Sequence, residues 1–92
     1  MVNKMDDLKS WRELITTELL ARSETWDDVF SCTMTDDELD VKFDAGYGTV
    51  SGEPFTLWTH VNVYFPVQYD GAEWVRSVSR LPDGKPTNHV GG

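Results

Sequence analysis

The sequence predicts one α+β domain, with one or two N-terminal helices followed by a three-stranded antiparallel β-meander. Apolar residues recur three and four apart only in the first half of the chain, and alternation of β-forming residues begins at Phe55. Asp70-Gly71, a pair suited to the positive φ angles of a type I′ turn, joins two of the alternating runs. A chain of 92 residues with 39% hydrophobic and 12% aromatic content can bury a single core despite a mean hydropathy of −0.43. The domain is expected to span residues 1–92, with flexible ends at 1–7 and 82–92.

Ser10-Trp11-Arg12-Glu13 has the form of a capping box, and Trp11, Leu14, Ile15 and Leu19 make an apolar stripe behind it. Leu8 extends the stripe backwards, so the helix starts at Ser10 or near Asp6 and Asp7, and ends around Arg22 or Ser23. Trp26-Asp27-Asp28-Val29-Phe30 reads as a short helical turn or a loop anchored by its two aromatics. Thr35-Asp36-Asp37-Glu38 is a second capping box, and Leu39 and Phe43 behind it predict a helix of about two turns. Gly46, Gly48, Gly52 and Pro54 then form a loop. Phe55–Thr59, Val61–Tyr69 and Glu73–Arg80 read as strands, with an edge position or a bulge expected at Pro66, which lacks an N–H. Pro82-Asp83-Gly84 is a further turn.

The formal charge of −8 disfavours binding to a phosphate backbone, and its distribution is uneven. Residues 1–23 and 54–92 are each balanced, whereas residues 24–44 hold eight carboxylates against Lys42 alone, a net of −7, and Glu53 supplies the last unit. Asp36, Glu38, Asp40 and Lys42 alternate as the first calcium ligands of an EF-hand do, but Val41 stands where glycine is needed and Tyr47 where a bidentate Glu is needed. On a helix, Asp36, Asp40 and Asp44 would stack on one side as a ladder of carboxylates able to imitate phosphates. The bland alternative is a solvated, well-capped helix between acidic turns.

Cys32, His60 and His89 have no metal-ligand spacing, and Cys32 reads as a structural thiol. Ser31 lacks a nucleophile elbow, and the run from Gly46 to Gly52 lacks the Lys of a phosphate loop. Trp58, Tyr64, Phe65, Tyr69 and Trp74 are enough aromatics for a stacking platform or, more simply, for a small core. No catalytic residue, cofactor or metal site is expected, and no apolar run reaches the roughly 20 residues of a membrane-spanning helix. The lone cysteine and the absence of a signal-like N-terminus point to the cytoplasm.

Ser10–Ile15, Trp26–Val29 with Ser31–Thr33, Phe55–Thr59, Val63–Val67 with Tyr69–Val75, and the closing His89–Gly92 together resemble a group of small bacteriophage and prophage accessory proteins, most of them uncharacterised. The resemblance runs from Ser10 onward and implies a chain that binds host machinery in the host cytosol. The expected function is binding, with inhibition as one outcome, of a host protein through an acidic face made by Asp27, Asp28, Asp36, Asp37, Asp40 and Asp44. The expected partner is a basic surface, that of a nucleic-acid-binding protein if the face acts as a nucleic-acid mimic, with no direct nucleic-acid or membrane binding. The alternatives are a structural or assembly protein self-associating through the sheet, and a small carboxylate-based enzyme.

Overall fold

A computed structural model of the chain describes residues 8–44, 52–69, 72–82 and 84–87. Strand β1 (Leu8–Ser10) leads directly into helix α1 (Trp11–Ala21). Ser10 keeps extended backbone angles while its Oγ accepts from the Glu13 N–H at 3.2 Å, and the Glu13 carboxylate accepts from the Ser10 N–H at 3.0 Å. This reciprocal cap fixes the helix start at Trp11. Leu8, which fits the apolar stripe, therefore lies on a strand and does not extend the helix.

The far end of α1 closes in a Schellman turn. The Ser23 N–H donates to Leu20 O at 3.0 Å and the Glu24 N–H to Leu19 O at 2.8 Å, with Ser23 at a φ of 61°. Glycine is the usual occupant of that left-handed position, so a serine holds the turn at a small conformational cost. The turn directs the following chain back under the helix, where Glu24 becomes buried.

A 3-10 turn (Trp26–Asp28), capped by Thr25 and Asp28, leads into β2 (Val29–Cys32). Helix α2 (Asp36–Leu39) follows, with the Thr35–Glu38 capping box in place, and then β3 (Lys42–Asp44). The remaining strands are β4 (Leu57–Thr59), β5 (Asn62–Tyr69) and β6 (Ala72–Ser79). The α+β class stands, but the expected order of helices and then strands does not. Among the described residues six strands form two antiparallel sheets, one of order β1-β3 and one of order β2-β4-β5-β6. The expected meander is β4-β5-β6, widened by β2 on one side.

The second helix is one turn, not two. Asp40 ends it, and Phe43 sits on β3 with its ring 4.8 Å from that of Trp11. Pairing of Lys42–Asp44 with Leu8–Ser10, together with this ring contact, outweighs the weak helical signal of two apolar residues four apart. The helical ladder of Asp36, Asp40 and Asp44 is thereby lost, since Asp44 belongs to a strand.

Alternation along the sheet sorts its side chains. Leu57, Tyr64 and Val75 are buried and pack with Trp11, Ile15 and Leu19 of α1 in a core that Leu39 and Phe55 complete. Trp58, Val63, Phe65, Trp74 and Val78 occupy the opposite face by register and are half-buried. The aromatic-rich segment is thus divided between a core and an outer face. Pro66 pairs opposite Val75, but the pairing of β4 with β5 reaches only Tyr64, so β5 is an edge at the proline. Phe30 is the extra residue of a bulge between Val29 and Ser31, and its ring is 52% exposed instead of anchoring a loop. Tyr69 pairs with Ala72 across the two residues of the Asp70-Gly71 turn, which itself lies outside the described residues. Residues 1–7, 45–51 and 88–92 also lie outside them, as does Asp83 in the third turn, where Gly84 has a φ of 74°.

Gly52 marks the closest packing of the core edge. A Cβ there would lie 2.5 Å from Trp11 Cζ2 and 2.9 Å from Phe43 Cζ. The indole cannot swing aside freely, because its Nε1 donates to Glu53 O at 2.9 Å and its ring is also 4.9 Å from Phe55. The substitution Gly52→Ala is expected to destabilise the fold by about 1–3 kcal/mol through overpacking, read as a lower urea midpoint at unchanged slope.

Candidate functional site

The acidic segment is organised by a single arginine. Arg12, in the first turn of α1, donates from Nε to Asp40 Oδ1 and from a terminal nitrogen to Asp36 Oδ1 at 3.2 Å. Its guanidinium also lies 5.2 Å from the Trp26 ring centre. Trp26 is held in turn by its indole N–H, which donates to Thr16 Oγ1 at 2.8 Å. Two separate acidic turns, Trp26–Asp28 and Asp36–Leu39, are therefore gathered at the start of α1. The hydrogen bond that Arg12 donates to Asp40, with Asp36 beside it, raises the Arg12 guanidinium above its ordinary value.

The predicted site residues divide into four groups. Asp36 and Asp40 are tied to Arg12 yet remain exposed, with side-chain exposures of 91% and 59%. Asp28 is exposed but serves its own turn, accepting from the Thr25 N–H at 2.8 Å. Asp27 and Asp37 are exposed and accept no hydrogen bond among the described residues. Asp44 closes β3, apart from the α2 turn. Beside this cluster Lys42 Nζ, on β3, donates to Glu13 Oε1 of α1 at 2.8 Å. That Lys42 hydrogen bond and the Ser10 N–H hold the Glu13 carboxyl below its usual range.

Among the members of the acidic segment whose burial is described, Glu24 alone leaves the surface, at 8% exposure. Its Oε1 accepts from Asn62 Nδ2 at 2.9 Å, from Thr59 Oγ1 at 3.1 Å and from the Tyr64 hydroxyl. Burial pushes this carboxyl up, but the hydrogen bonds from Asn62, Tyr64 and Thr59, aided by the charge of Arg22, together bring it below the ordinary carboxylate value. Burial, and then the Glu24 hydrogen bond and charge, raise the Tyr64 phenol. The chemistry of this cluster is that of a fixed anion in a donor cage, which suits structure more than proton transfer. Nothing local in the sequence separates Glu24 from its exposed neighbours. The only signal is its place three residues past the end of a capped helix.

Other chemistry-bearing residues are dispersed. Cys32 is half-buried against the core, and its Sγ accepts from the Met34 N–H at 3.4 Å. His60 is exposed and stacks on Phe30 at 4.9 Å, while Arg80 lies 5.2 Å from the same Phe30 ring. His89 and Tyr47 lie outside the described residues. Among the described residues no group of three His, Cys, Asp or Glu side chains is placed to hold a metal, and no helix is long and apolar enough to cross a membrane. A cleft of about 250 Å³ beside Trp11 and Gly52 includes Glu38 and Glu53, but the Glu38 carboxylate is engaged by the Thr35 N–H at 2.9 Å. Comparison with protein families, with curated proteins and with solved structures gave no match.

The lowered Glu24 carboxyl links stability to pH with a definite sign. A folded value below the unfolded one stabilises the fold fully above the ordinary carboxylate value of about 4.3, and the contribution disappears as pH falls through the lower folded value. Glu24→Gln is expected to lose on the order of 1–2 kcal/mol near neutral pH, because three charge-assisted bonds become neutral ones. The gap between wild type and variant should narrow below about pH 4, as seen in urea midpoints measured across the acid range.

Proposed function

We propose that this chain is a non-enzymatic binding protein, a phage-type accessory protein whose acidic surface around Arg12 engages a basic surface on a host protein. The observation that carries this reading is that Arg12 holds one acidic turn through the Asp36 and Asp40 carboxylates and touches the other through the Trp26 ring, while Asp27, Asp37 and Asp36 face solvent. Capping boxes at Thr25–Asp28 and Thr35–Glu38 hold both turns in fixed shape, so the charges are presented with little conformational freedom to lose on binding. A basic partner that handles nucleic acid is the version in which these carboxylates stand in for phosphates. Their segregation from the rest of the chain favours fast, salt-sensitive association.

A second reading, self-association through the sheet, is favoured by a different observation. Trp58, Val63, Phe65, Trp74 and Val78 form a half-buried apolar face outside the core cluster. The two readings differ in their response to salt. In the first, affinity capture from a bacterial lysate recovers a nucleic-acid-handling protein at low salt and loses it at high salt. Asp27→Asn with Asp37→Asn removes two charges that hold no other group, and is expected to weaken capture roughly two- to tenfold and flatten its salt dependence. Capture indifferent to both changes would sink the acidic-face reading, and a salt-insensitive dimer in sedimentation would establish the sheet reading in its place.

A further inference from the structure

The edge of the large sheet opposite β2 combines open backbone with a concentration of positive charge. β6 is an outermost strand of eight residues without a proline, and among the described residues it pairs only with β5. The Arg80 N–H donates to Val61 O at 2.8 Å, which sets the phase of the ladder, because alternate residues of an antiparallel strand face the partner strand. Arg76 and Val78 therefore direct their backbone groups to β5, and Val75, Ser77 and Ser79 direct theirs to the open side. The side chain of Arg22 agrees with this phase, since it reaches across the edge and donates to Ser77 O at 2.8 Å.

The same edge faces Leu81, Pro82 and residues 84–87 across a groove of about 670 Å³. Arg22, Arg76, Arg80 and Lys85 line it, which is half of the eight lysines and arginines in a chain of net charge −8. Among the described residues no carboxylate lines the groove. Arg22 and Arg80 are positioned by backbone oxygens of Ser77 and Thr59, Arg22 also lends its charge to the buried Glu24, and Arg76 makes no hydrogen bond or ion pair among the described residues.

The geometry points to a second binding surface, in which β6 and its flanking arginines take up an extended acidic peptide segment as an added antiparallel or parallel strand. Backbone groups of Val75 and Ser79, with the Ser77 N–H, supply the strand pairing beside the Ser77 carbonyl that Arg22 holds, and the cations select carboxylates at alternate positions of the incoming segment. Arg76 and Val78 project on the outer face of the sheet, so an acidic side chain of the added strand on that face lies beside Arg76. A peptide fits better than a nucleic acid because the edge offers backbone donors and acceptors together, whereas phosphates accept only. This surface is distinct from the acidic one and is sought in the opposite kind of partner.

The test is fluorescence anisotropy with a labelled peptide of alternating Val and Glu. Three comparison probes are its Val-Lys counterpart, the Val-Glu peptide N-methylated at alternate residues, and oligothymidylate. Saturable binding of the Val-Glu peptide is expected, with loss on N-methylation, no binding of the Val-Lys peptide, and at least about tenfold weakening in Arg76→Glu. Amide exchange of Val75 and Ser77 should slow when the Val-Glu peptide is added. Absence of saturable binding by the wild type would overturn the proposal and leave the arginines as guards against edge-to-edge pairing. Equal binding of the Val-Lys peptide, binding untouched by N-methylation, or tighter binding of oligothymidylate would each overturn it as well.

Discussion

The fold depends on the carboxylate of Glu24. One oxygen of that group accepts from Asn62, Thr59 and Tyr64, and its own backbone N–H is bound to Leu19 at the end of α1. Thr59 and Asn62 flank the short link between β4 and β5, so the bonds form only when that hairpin is in register and the helix end lies over it. Thr59 Oγ1 also accepts from the Asn62 N–H at 3.0 Å, which closes the link from within. A buried carboxylate is costly to desolvate, and here donors from two strands offset that cost. The gain is less in net stability than in the rejection of alternative helix positions, because any shift leaves an anion or three donors without partners.

A second fixed point lies at the other end of α1. Trp11 meets Phe43 of the small sheet and Phe55 near the large one, and its N–H is anchored to Glu53 O. The small β1-β3 sheet is three residues long on each side and would not persist alone. It holds because Leu8–Ser10 is continuous with a capped helix and Phe43 is pressed against the indole. Helix, small sheet and large sheet are thus joined at two places, an aromatic contact at one end and a polar one at the other.

The elements encoded by local chemistry were legible in the sequence. Capping boxes at Ser10 and Thr35 marked helix starts, alternation marked β4, β5 and β6, and the Asp70-Gly71 pair matched the register at Tyr69 and Ala72. The elements that exist through distant pairing were not. β1 and β3 are held by each other across more than thirty residues, and β2 by β4, so no short window carries their signal. The same distinction governs the charged residues. Exposure of Asp27, Asp36 and Asp37 followed from their place in capped turns, whereas the burial of Glu24 and the gathering role of Arg12 depend on partners remote in sequence. Arg12 read as an ordinary helix residue because its two carboxylate partners lie 24 and 28 positions away.

The two arginines of α1 have a joint consequence. Arg12 sits at the start of the helix with the acidic turns around it, and Arg22 follows its last turn and reaches the basic groove. Ten helical steps place the two regions roughly 15 Å apart along the axis. The acidic turns lie at the end of the helix where the backbone dipole is positive and favours them, while the Arg22 charge lies at the other end, where it also faces the buried Glu24. The two described regions thus set unlike charges at opposite ends of α1, so a charged surface meets an attractive potential at one end of the helix and a repulsive one at the other.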